Sequence, residues 1–510
     1  MGLNEKLLSF LKNPPFLAIL CFLAIALFLN FIYLPLPSLW VDEAWLVNLA
    51  KEPLILILNK LLIFDAHLPL YYLIIKFVRL FFGGTEGVLR FPALFFGLAV
   101  VPGAYFLGKE IFSKKAGLWA AALAATNYFI IWFSHQIRMY TLAAFLSALS
   151  SYFLIRLLKD FNRKNFLGYV ILSILGVYNH YWFILVLFSH FVFLVLSLRR
   201  IQKVYRYFFA HFVIFLFFLP WLIAYLSKTN IWGANAWIKR ATLGYLLESF
   251  DYFTYGQLWI FLIFGAMGVG YLVLKWKKEK LGKEEIFYLV LANCLFWVPL
   301  FSGWIISQFF PIYTPGRREI VVLPAFFVLV AYPLSYIPSK AIQFIALILF
   351  IVSSLFKILN VNQATRAYQF DDKIAAAAIL KKITKEDVVI FTELSRPTFE
   401  YYFDLEEEKS GFKPKIVSFP LYMEINPTRG DWLDKLEADE LKSKEEVQKV
   451  LDALGENGKV FLVYAERPLN KMLADELTKR MKIIDIIGPP SLLTSRMPSW
   501  FHYIIVFERK

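Results

Sequence analysis

The chain has 510 residues, 59% of them apolar and 18% aromatic, and a mean hydropathy of +0.58. This composition excludes an ordinary water-soluble globular protein and is typical of a polytopic membrane protein, whose solvent is the bilayer. The net charge of +15 comes mainly from basic loops between apolar runs, so we interpret it as a signal of membrane topology and expect no binding to nucleic acid.

Eleven apolar runs in the first 360 residues are each long enough, as a helix, to cross a hydrocarbon core of about 30 Å. These predicted spans lie at 15–34, 90–108, 116–133, 139–155, 165–179, 181–198, 207–226, 257–274, 286–309, 319–337 and 341–358. A further stretch, 67–83, is short and carries His67, Lys76 and Arg79. If it lies on the outer membrane surface, every short basic loop falls on one side of the bilayer, as the positive-inside rule expects. The sequence thus predicts a multi-pass protein of the cell (plasma or inner) membrane with a cytoplasmic amino terminus.

The composition changes after about residue 360, where 25 of the 39 acidic residues lie and the apolar runs shorten to strand length. Strands are predicted at 388–391, 460–464, 483–487 and 503–507, and helices at 371–382 and 445–454. We therefore predict two domains, a polytopic α-helical transmembrane domain over 1–360 and an extracytoplasmic soluble α/β domain over 361–510. The second domain could cap a site or select an acceptor.

The most informative local feature is the acidic pair Asp42 and Glu43, which follows directly on the first predicted span. Acids are costly near the bilayer, and only 14 of the 39 precede residue 360. Five of these fall in the 45 residues 42–86 that come soon after the first span, and the other three are Glu52, Asp65 and Glu86. The pair could simply cap a helix over 44–51, since acids favour amino-terminal turns. The clustering favours a functional site.

Further polar groups meet the same predicted water boundary. They are Asp65 and His67, Arg138 and Tyr140, His180 at the 179–181 turn, and Arg317 and Arg318. Each has a structural alternative: Arg138 could anchor the chain to lipid headgroups, and His67 could be a simple hydrogen-bond donor. Convergence of all of them on one face is what an active site requires.

Carboxylates beside arginines at a membrane surface suit the transfer of a sugar from a lipid-linked phosphate to a hydroxyl group. The planar guanidinium of arginine pairs with phosphate oxygens, while a carboxylate removes the proton of the acceptor. We assign Asp42 as the base, with Glu43 beside it, and Arg138 and Arg317 as phosphate ligands. A divalent metal is possible, since Glu43, Asp65 and His67 offer ligands that suit zinc or manganese.

Five segments carry, in order along the chain, a resemblance to a known family. They are 40–44 with the acidic pair, 65–69, 90–97, 136–140 and 317–324. At these segments the chain resembles the membrane glycosyltransferases of the GT-C fold that take sugars from polyprenyl phosphate, in the branch of protein O-mannosyltransferases and lipid A aminoarabinose transferases. Departures from the family pattern are Leu68 in place of a proline, Ile137 within the Glu-Ala-Arg run, and Glu319 in place of an aromatic residue. The last departure leaves two alternatives for the phosphate ligand in this segment, Arg317 and Arg318.

The resemblance implies about eleven spans, a catalytic acid in the first external loop, juxtamembrane helices in that loop, and an inverting single displacement with no nucleotide. Some members use a metal and others do not. The predicted function is therefore a glycosyltransferase that moves a hexosyl or pentosyl group from a polyprenyl-phosphate donor to a hydroxyl of a protein, lipid or glycan at the extracytoplasmic face.

Two other classes of function compete with the enzyme. A transporter or flippase of lipid-linked sugars would line its pathway with mid-span charges and is often built from an internal repeat. In this sequence the charges sit at the span ends, and no similarity between the two halves is visible. A receptor with a soluble partner-binding tail would leave the first-loop acids unexplained.

Overall fold

The structure is a computed structural model. It describes residues 14–33, 38–63, 67–227, 240–279, 282–367, 371–392, 394–421, 436, 439–454, 458–465, 467–488 and 503–510. Within these residues a large helical part precedes a smaller part built on a sheet, as the sequence predicts.

The helical part runs to residue 367. Its helices are α1 (Pro14–Ile32), α2 (Val41–Lys51), α3 (Leu54–Ile63), α4 (Pro69–Phe82), α5 (Glu86–Ile111), α6 (Lys114–Thr126), α7 (Tyr128–Ser134), α8 (Tyr140–Lys159), α9 (Arg163–Asn179), α10 (Phe183–Leu196), α11 (Tyr205–Leu226), α12 (Leu243–Thr254), α13 (Leu258–Lys278), α14 (Lys283–Phe309), α15 (Leu323–Leu334) and α16 (Lys340–Ala367). A 3₁₀ turn, Arg318–Val322, leads into α15.

Seven helices in the described part of the chain, α1, α5, α8, α11, α13, α14 and α16, are long and apolar enough to cross a membrane. The pair α6 and α7, bent by 54° at Asn127, would make an eighth span if it crosses as one. Each of the eleven predicted spans overlaps one or two helices among α1, α5 to α11 and α13 to α16. Of these helices, α9, α10 and α15 have only 17, 14 and 12 residues. A multi-pass helical protein is therefore confirmed, while the count of eleven and the orientation stay predictions.

The stretch 67–83 forms α4, whose 14 residues reach only about 21 Å as a helix and so cannot cross the hydrocarbon core. One face of α4, with Tyr71, Tyr72 and Ile75, is buried, whereas Phe77 and Leu80 are exposed. A helix with one face buried in the protein and the other face exposed and apolar suits the predicted position on the membrane surface.

The second part contains nine elements in the described residues. They are α17 (Asp372–Leu380), β1 (Val388–Thr392), α18 (Arg396–Ser410), β2 (Lys415–Phe419), α19 (Glu440–Ala453), β3 (Val460–Tyr464), α20 (Pro468–Arg480), β4 (Met481–Ile487) and β5 (Tyr503–Arg509). The strand order is β2-β1-β3-β5-β4, with β1 parallel to β2 and β3, and β5 antiparallel to both of its neighbours.

The α/β prediction is confirmed, and all four predicted strands form. The sequence analysis missed β2, since this edge strand has only three buried residues and no long apolar run. The predicted division at residue 360 falls inside α16, so the domain bounds themselves stay a prediction.

The sheet-bearing part packs on the helical part through α18, which lies against α2. Phe399, Tyr401 and Tyr402 of α18 are buried. Lys51 of α2 pairs with Asp404 of α18, and the Asn48 side-chain amide donates to the Pro397 carbonyl at 2.9 Å. The helix that carries the acidic pair therefore lies at the contact between the two parts of the molecule.

Gly108 of α5 and Gly117 of α6 let these two helices cross in close contact. A Cβ at Gly117 would lie 2.6 Å from the backbone oxygen of Tyr105 and 2.9 Å from the backbone nitrogen of Lys109.

We expect Gly117→Ala to lower the free energy of unfolding by about 1 to 3 kcal/mol, because the added methyl group overpacks this contact. The loss is measured as a lower melting temperature in detergent. Gly265→Ala in α13, where nothing lies within 4 Å of the added Cβ, should be neutral or slightly stabilising. Equal losses in both variants would contradict the close contact.

Candidate active site

The acidic pair lies in the first turn of α2, where carboxylates are stabilised by the positive end of the helix. Glu43 is the third helical residue, and its Oε2 accepts a hydrogen bond from the Trp40 backbone N–H at 3.3 Å. The capping alternative from the sequence therefore holds for Glu43. Its neighbour Asp42 has a different environment.

Glu43 is 1% exposed and is surrounded by donors. Its Oε1 accepts from the Ile137 N–H at 2.6 Å, and its Oε2 lies 3.7 Å from an Arg90 guanidinium nitrogen. Burial raises the pKa of Glu43, and the Arg90 charge and the two N–H donors oppose this rise. Through these contacts the carboxylate ties α2 to α5 and to the loop between α7 and α8.

Asp42 keeps 35% of its side chain exposed, and two arginines approach the same carboxylate oxygen. Arg138 Nη2 lies 3.7 Å and Arg317 Nη1 3.9 Å from Asp42 Oδ2. Arg138 also donates to the Asp42 backbone carbonyl at 3.2 Å. The predicted base and the two predicted phosphate ligands thus come together, from three segments separated by up to 275 positions in the sequence.

Arg138 is 2% exposed, so its guanidinium does not extend to lipid headgroups as the anchor alternative requires. Arg138 Nη2 lies 2.8 Å from His67 Nε2. Because a guanidinium has only donors, this imidazole nitrogen is the acceptor. The ring of Trp40 lies 5.9 Å from the Arg138 guanidinium and 5.1 Å from that of Arg317, a distance at which aromatic faces attract cations.

The loop that carries Arg317 is fixed by the buried carboxylate of Glu319. This group accepts from the Gly316 N–H, from the Arg317 N–H at 3.2 Å and from the Ser249 hydroxyl of α12 at 3.2 Å. Gly316 has φ +78° and a Tyr252 ring 2.6 Å from the position of a Cβ, so a side chain there would be strained. Arg318 donates instead to the Ile312 carbonyl at 2.8 Å.

Tyr140 and His180 lie beside the arginines. Their rings are 5.9 Å apart, and the Tyr140 ring is 5.8 Å from the Arg138 guanidinium. Burial, followed by the charge of Arg318, lowers the pKa of His180 well below its usual range, so the ring is neutral at pH 7. Its Nδ1 accepts the Trp182 N–H at 3.1 Å, which places the proton on Nε2.

The comparison with solved structures identifies the fold. The structure matches the crystal structure of ArnT from Cupriavidus metallidurans bound to undecaprenyl phosphate, with a TM-score of 0.59, 12% identity, and coverage of 96% of this chain and 97% of ArnT. It also matches the oligosaccharyltransferase of Archaeoglobus fulgidus in the apo form, with a TM-score of 0.51, 11% identity, and coverage of 89% and 70%. The chain has the GT-C glycosyltransferase fold.

The sequence of this GT-C protein adds a second finding. Residues 66–224 match the family model described as dolichyl-phosphate-mannose-protein mannosyltransferase. That segment begins before His67 and ends within α11, and so includes Arg138, Tyr140 and His180. No curated protein sequence matches the chain. The resemblance to GT-C glycosyltransferases that was inferred from the ordered motifs is confirmed.

The metal prediction for this GT-C protein stays open to experiment. Asp65 lies outside the described residues, which contain no group of three or more His, Cys, Asp or Glu side chains that could hold a metal ion. Of the other two candidates, Glu43 accepts backbone N–H groups with both oxygens, and His67 Nε2 accepts from Arg138. Glu43 and His67 by themselves do not fit a metal, and a metal site that they form together with Asp65 stays a prediction.

Sequence reasoning missed the supporting groups of the site. Arg90 was noted only within a motif, and Glu319 only as a departure from the family pattern. Ser249 and Trp40 were given no role in the site. The available signal was a charged residue at the end of an apolar run, as Arg90 and Glu319 are, because a buried charge requires a partner.

We expect Glu43→Gln to reduce stability. Glutamine has one carbonyl oxygen and an amide donor, so a buried N–H of Ile137 or Trp40 would then face a donor, at a cost of about 1 to 3 kcal/mol. Thermal unfolding in detergent measures this loss. The control is Glu440→Gln, since Glu440 pairs with Lys444 at 2.7 Å with its side chain 75% exposed and should contribute almost nothing. A melting temperature of Glu43→Gln equal to that of the control would contradict the buried role.

Proposed function

We propose that this protein transfers a sugar from a polyprenyl-phosphate donor to a hydroxyl group of an acceptor at the extracytoplasmic face of the membrane. The observation that carries the proposal is the partly exposed Asp42 carboxylate with Arg138 at 3.7 Å and Arg317 at 3.9 Å. The match to a dolichyl-phosphate-mannose-dependent family, and the shared fold with an ArnT structure that holds undecaprenyl phosphate, support a lipid-phosphate donor.

The proposed reaction is a single displacement. The acceptor oxygen forms a bond to the anomeric carbon of the sugar as the bond from this carbon to the phosphate oxygen breaks. The hydroxyl proton passes to Asp42, and the electron pair of the broken bond stays on the leaving phosphate beside the arginines, so the anomeric configuration inverts. General-base catalysis supplies about 100- to 10,000-fold, and charge stabilisation of the phosphate adds to this.

The arginines have different proposed tasks. Arg317 keeps 35% of its side chain exposed and contacts the phosphate. Arg138 is buried and holds the Asp42 backbone and His67, so it orients the base and adds charge to the phosphate site. Arg318 donates to the Ile312 carbonyl, and its charge acts on the neighbouring His180. Tyr140 and the neutral His180, with its Nε2 proton, contact the donor or the sugar.

The location of the site supports the proposed orientation. Because α18 packs on α2, the α/β part and the acidic pair lie on the same face of the membrane part. We place this face outside the cytoplasm and the amino terminus inside, since the basic loops then lie in the cytoplasm.

We expect Asp42→Asn to abolish turnover while donor binding is kept, because asparagine keeps the shape of the side chain but cannot take up the proton. The assay is transfer of labelled sugar from a panel of short-chain polyprenyl-phosphate sugars, with and without a chelator. Glu52→Gln, which alters an ion pair with Lys60 at 3.3 Å in the same loop, is the control. Turnover by Asp42→Asn would remove Asp42 as the base, and donor binding without turnover by the wild type would favour a transporter or flippase. Loss of turnover with chelator would indicate a metal.

We expect Arg317→Lys to weaken donor affinity by about 10- to 100-fold, since a charge-assisted hydrogen bond is worth about 1.5 to 3 kcal/mol. Titration of a short-chain polyprenyl phosphate, followed by intrinsic fluorescence, measures the change. The matched variant Arg318→Lys should alter affinity less, because the lysine can still donate to the Ile312 carbonyl. A larger effect at Arg318 would reverse the two assignments.

A further inference from the structure

The segment that enters α2 is held by side chains at three consecutive backbone N–H groups. The Ser38 N–H donates to Asp371 Oδ2 at 3.3 Å, and the Leu39 N–H to the Tyr402 hydroxyl at 3.0 Å. The Trp40 N–H donates to Glu43, as described above. Two of the three acceptors therefore belong to the α/β part, more than 330 positions further along the chain.

Tyr402 connects this segment to a chain of buried charges. Its hydroxyl accepts from Leu39 and donates to Glu86 Oε1 at 3.3 Å. Burial, and then the nearby Glu86 charge, raise the pKa of Tyr402, so the hydroxyl keeps its proton as a donor. Glu86 also pairs with Lys373 of α17 at 2.8 Å and with Arg90 at 3.1 Å.

The same chain of contacts ends beside the base. Arg90 lies 3.7 Å from Glu43, and Glu43 holds the Ile137 N–H, which directly precedes Arg138. Tyr402 of the α/β part is thus connected to the neighbourhood of Asp42 by two series of contacts. One runs through the Leu39 backbone, and the other through Glu86, Arg90 and Glu43. Leu39, Tyr402, Glu86, Arg90 and Glu43, which form these two series, are buried.

We propose that Tyr402 is a positioning residue for the reaction: by bonding the entry to α2, the α/β part sets the place of Asp42 relative to Arg138 and Arg317. This inference rests on the proposed role of Asp42 and assigns a task to the second part of the chain. A displacement of about 1 Å at a catalytic group can cost about 100-fold in rate, so one lost hydrogen bond at this position has a measurable effect on turnover.

Tyr401 provides a matched control. It is the preceding residue of α18, it is buried, and its hydroxyl also joins the two parts of the molecule, by donating to the Gly84 carbonyl at 2.8 Å. Gly84 precedes α5, and among the described residues it makes no hydrogen bond to 38–40 at the entry of α2. A variant of Tyr401 therefore loses a comparable docking contact and leaves the backbone N–H of Leu39 with its acceptor.

The test compares Tyr402→Phe with Tyr401→Phe in the full-length protein. For Tyr402→Phe we expect kcat to fall by about 10-fold or more, with the KM for the donor nearly unchanged, since the phosphate ligands stay in place. Hydrogen exchange of peptides covering 38–45 should become faster in this variant. Tyr401→Phe should keep both kcat and the exchange of 38–45.

The outcomes separate this inference from the proposed function. Unchanged exchange at 38–45 in Tyr402→Phe, or equal losses in the two variants, would overturn the positioning role and reduce Tyr402 to a docking contact. If the wild type turns over no donor, the proposed function is contradicted. Faster hydrogen exchange of 38–45 in Tyr402→Phe alone would then still support the contact by which Tyr402 fixes the entry to α2.

Discussion

The burial of the Glu43 carboxylate is the constraint around which the site is arranged. A carboxylate that is 1% exposed persists only where other groups replace water, because an unpaired buried charge costs several kcal/mol. The chain supplies two backbone N–H groups and the guanidinium of Arg90. These groups come from three separate segments, so satisfying one charge fixes the relative positions of α2, α5 and the loop before α8. Asp42, the adjacent residue, takes its place from this arrangement while its own side chain remains open to solvent.

A similar device fixes the other side of the site. The buried Glu319 carboxylate gathers the Gly316 and Arg317 N–H groups and the Ser249 hydroxyl, and so shapes the turn from which Arg317 reaches Asp42. Each of the exposed charged groups thus has a buried carboxylate close to it in the sequence, one position after Asp42 and two after Arg317. We expect the buried acids to restrict the motion of these turns, which would keep the groups of the proposed reaction in place without a reorganisation cost.

The sequence predicted the members of the site better than their supports. Length and hydropathy predict helices and their ends, and ends that share a water boundary can lie near one another. On this basis the sequence predicts that Asp42, Arg138 and Arg317 meet, and in the structure the two guanidinium groups lie 3.7 and 3.9 Å from one carboxylate oxygen of Asp42; their roles stay a proposal. The contacts of Glu43 with Arg90 and of Tyr402 with Leu39 depend on tertiary packing between residues far apart in the chain, and no local pattern encodes them. The strand β2 was missed for a related reason, since its pairing with β1 rather than its own composition makes it a strand. Because Asp65 lies outside the described residues, the metal site stays a prediction from the sequence.

The charges of the proposed site are balanced through the proposed reaction. Two arginines beside one aspartate carry a single net positive charge, which matches the single negative charge of a sugar phosphodiester. When the sugar leaves, the phosphate becomes a monoester and gains a negative charge, and Asp42 loses one by taking the acceptor proton. The total in the site is unchanged, and the negative charge has moved from the carboxylate to the phosphate over a few ångströms. A site of fixed dipoles and charges stabilises such a shift well, because no solvent has to reorganise around a new net charge. A second unpaired carboxylate beside Asp42 would disturb this balance and repel the phosphate, which gives a physical reason for the burial of Glu43 against Arg90.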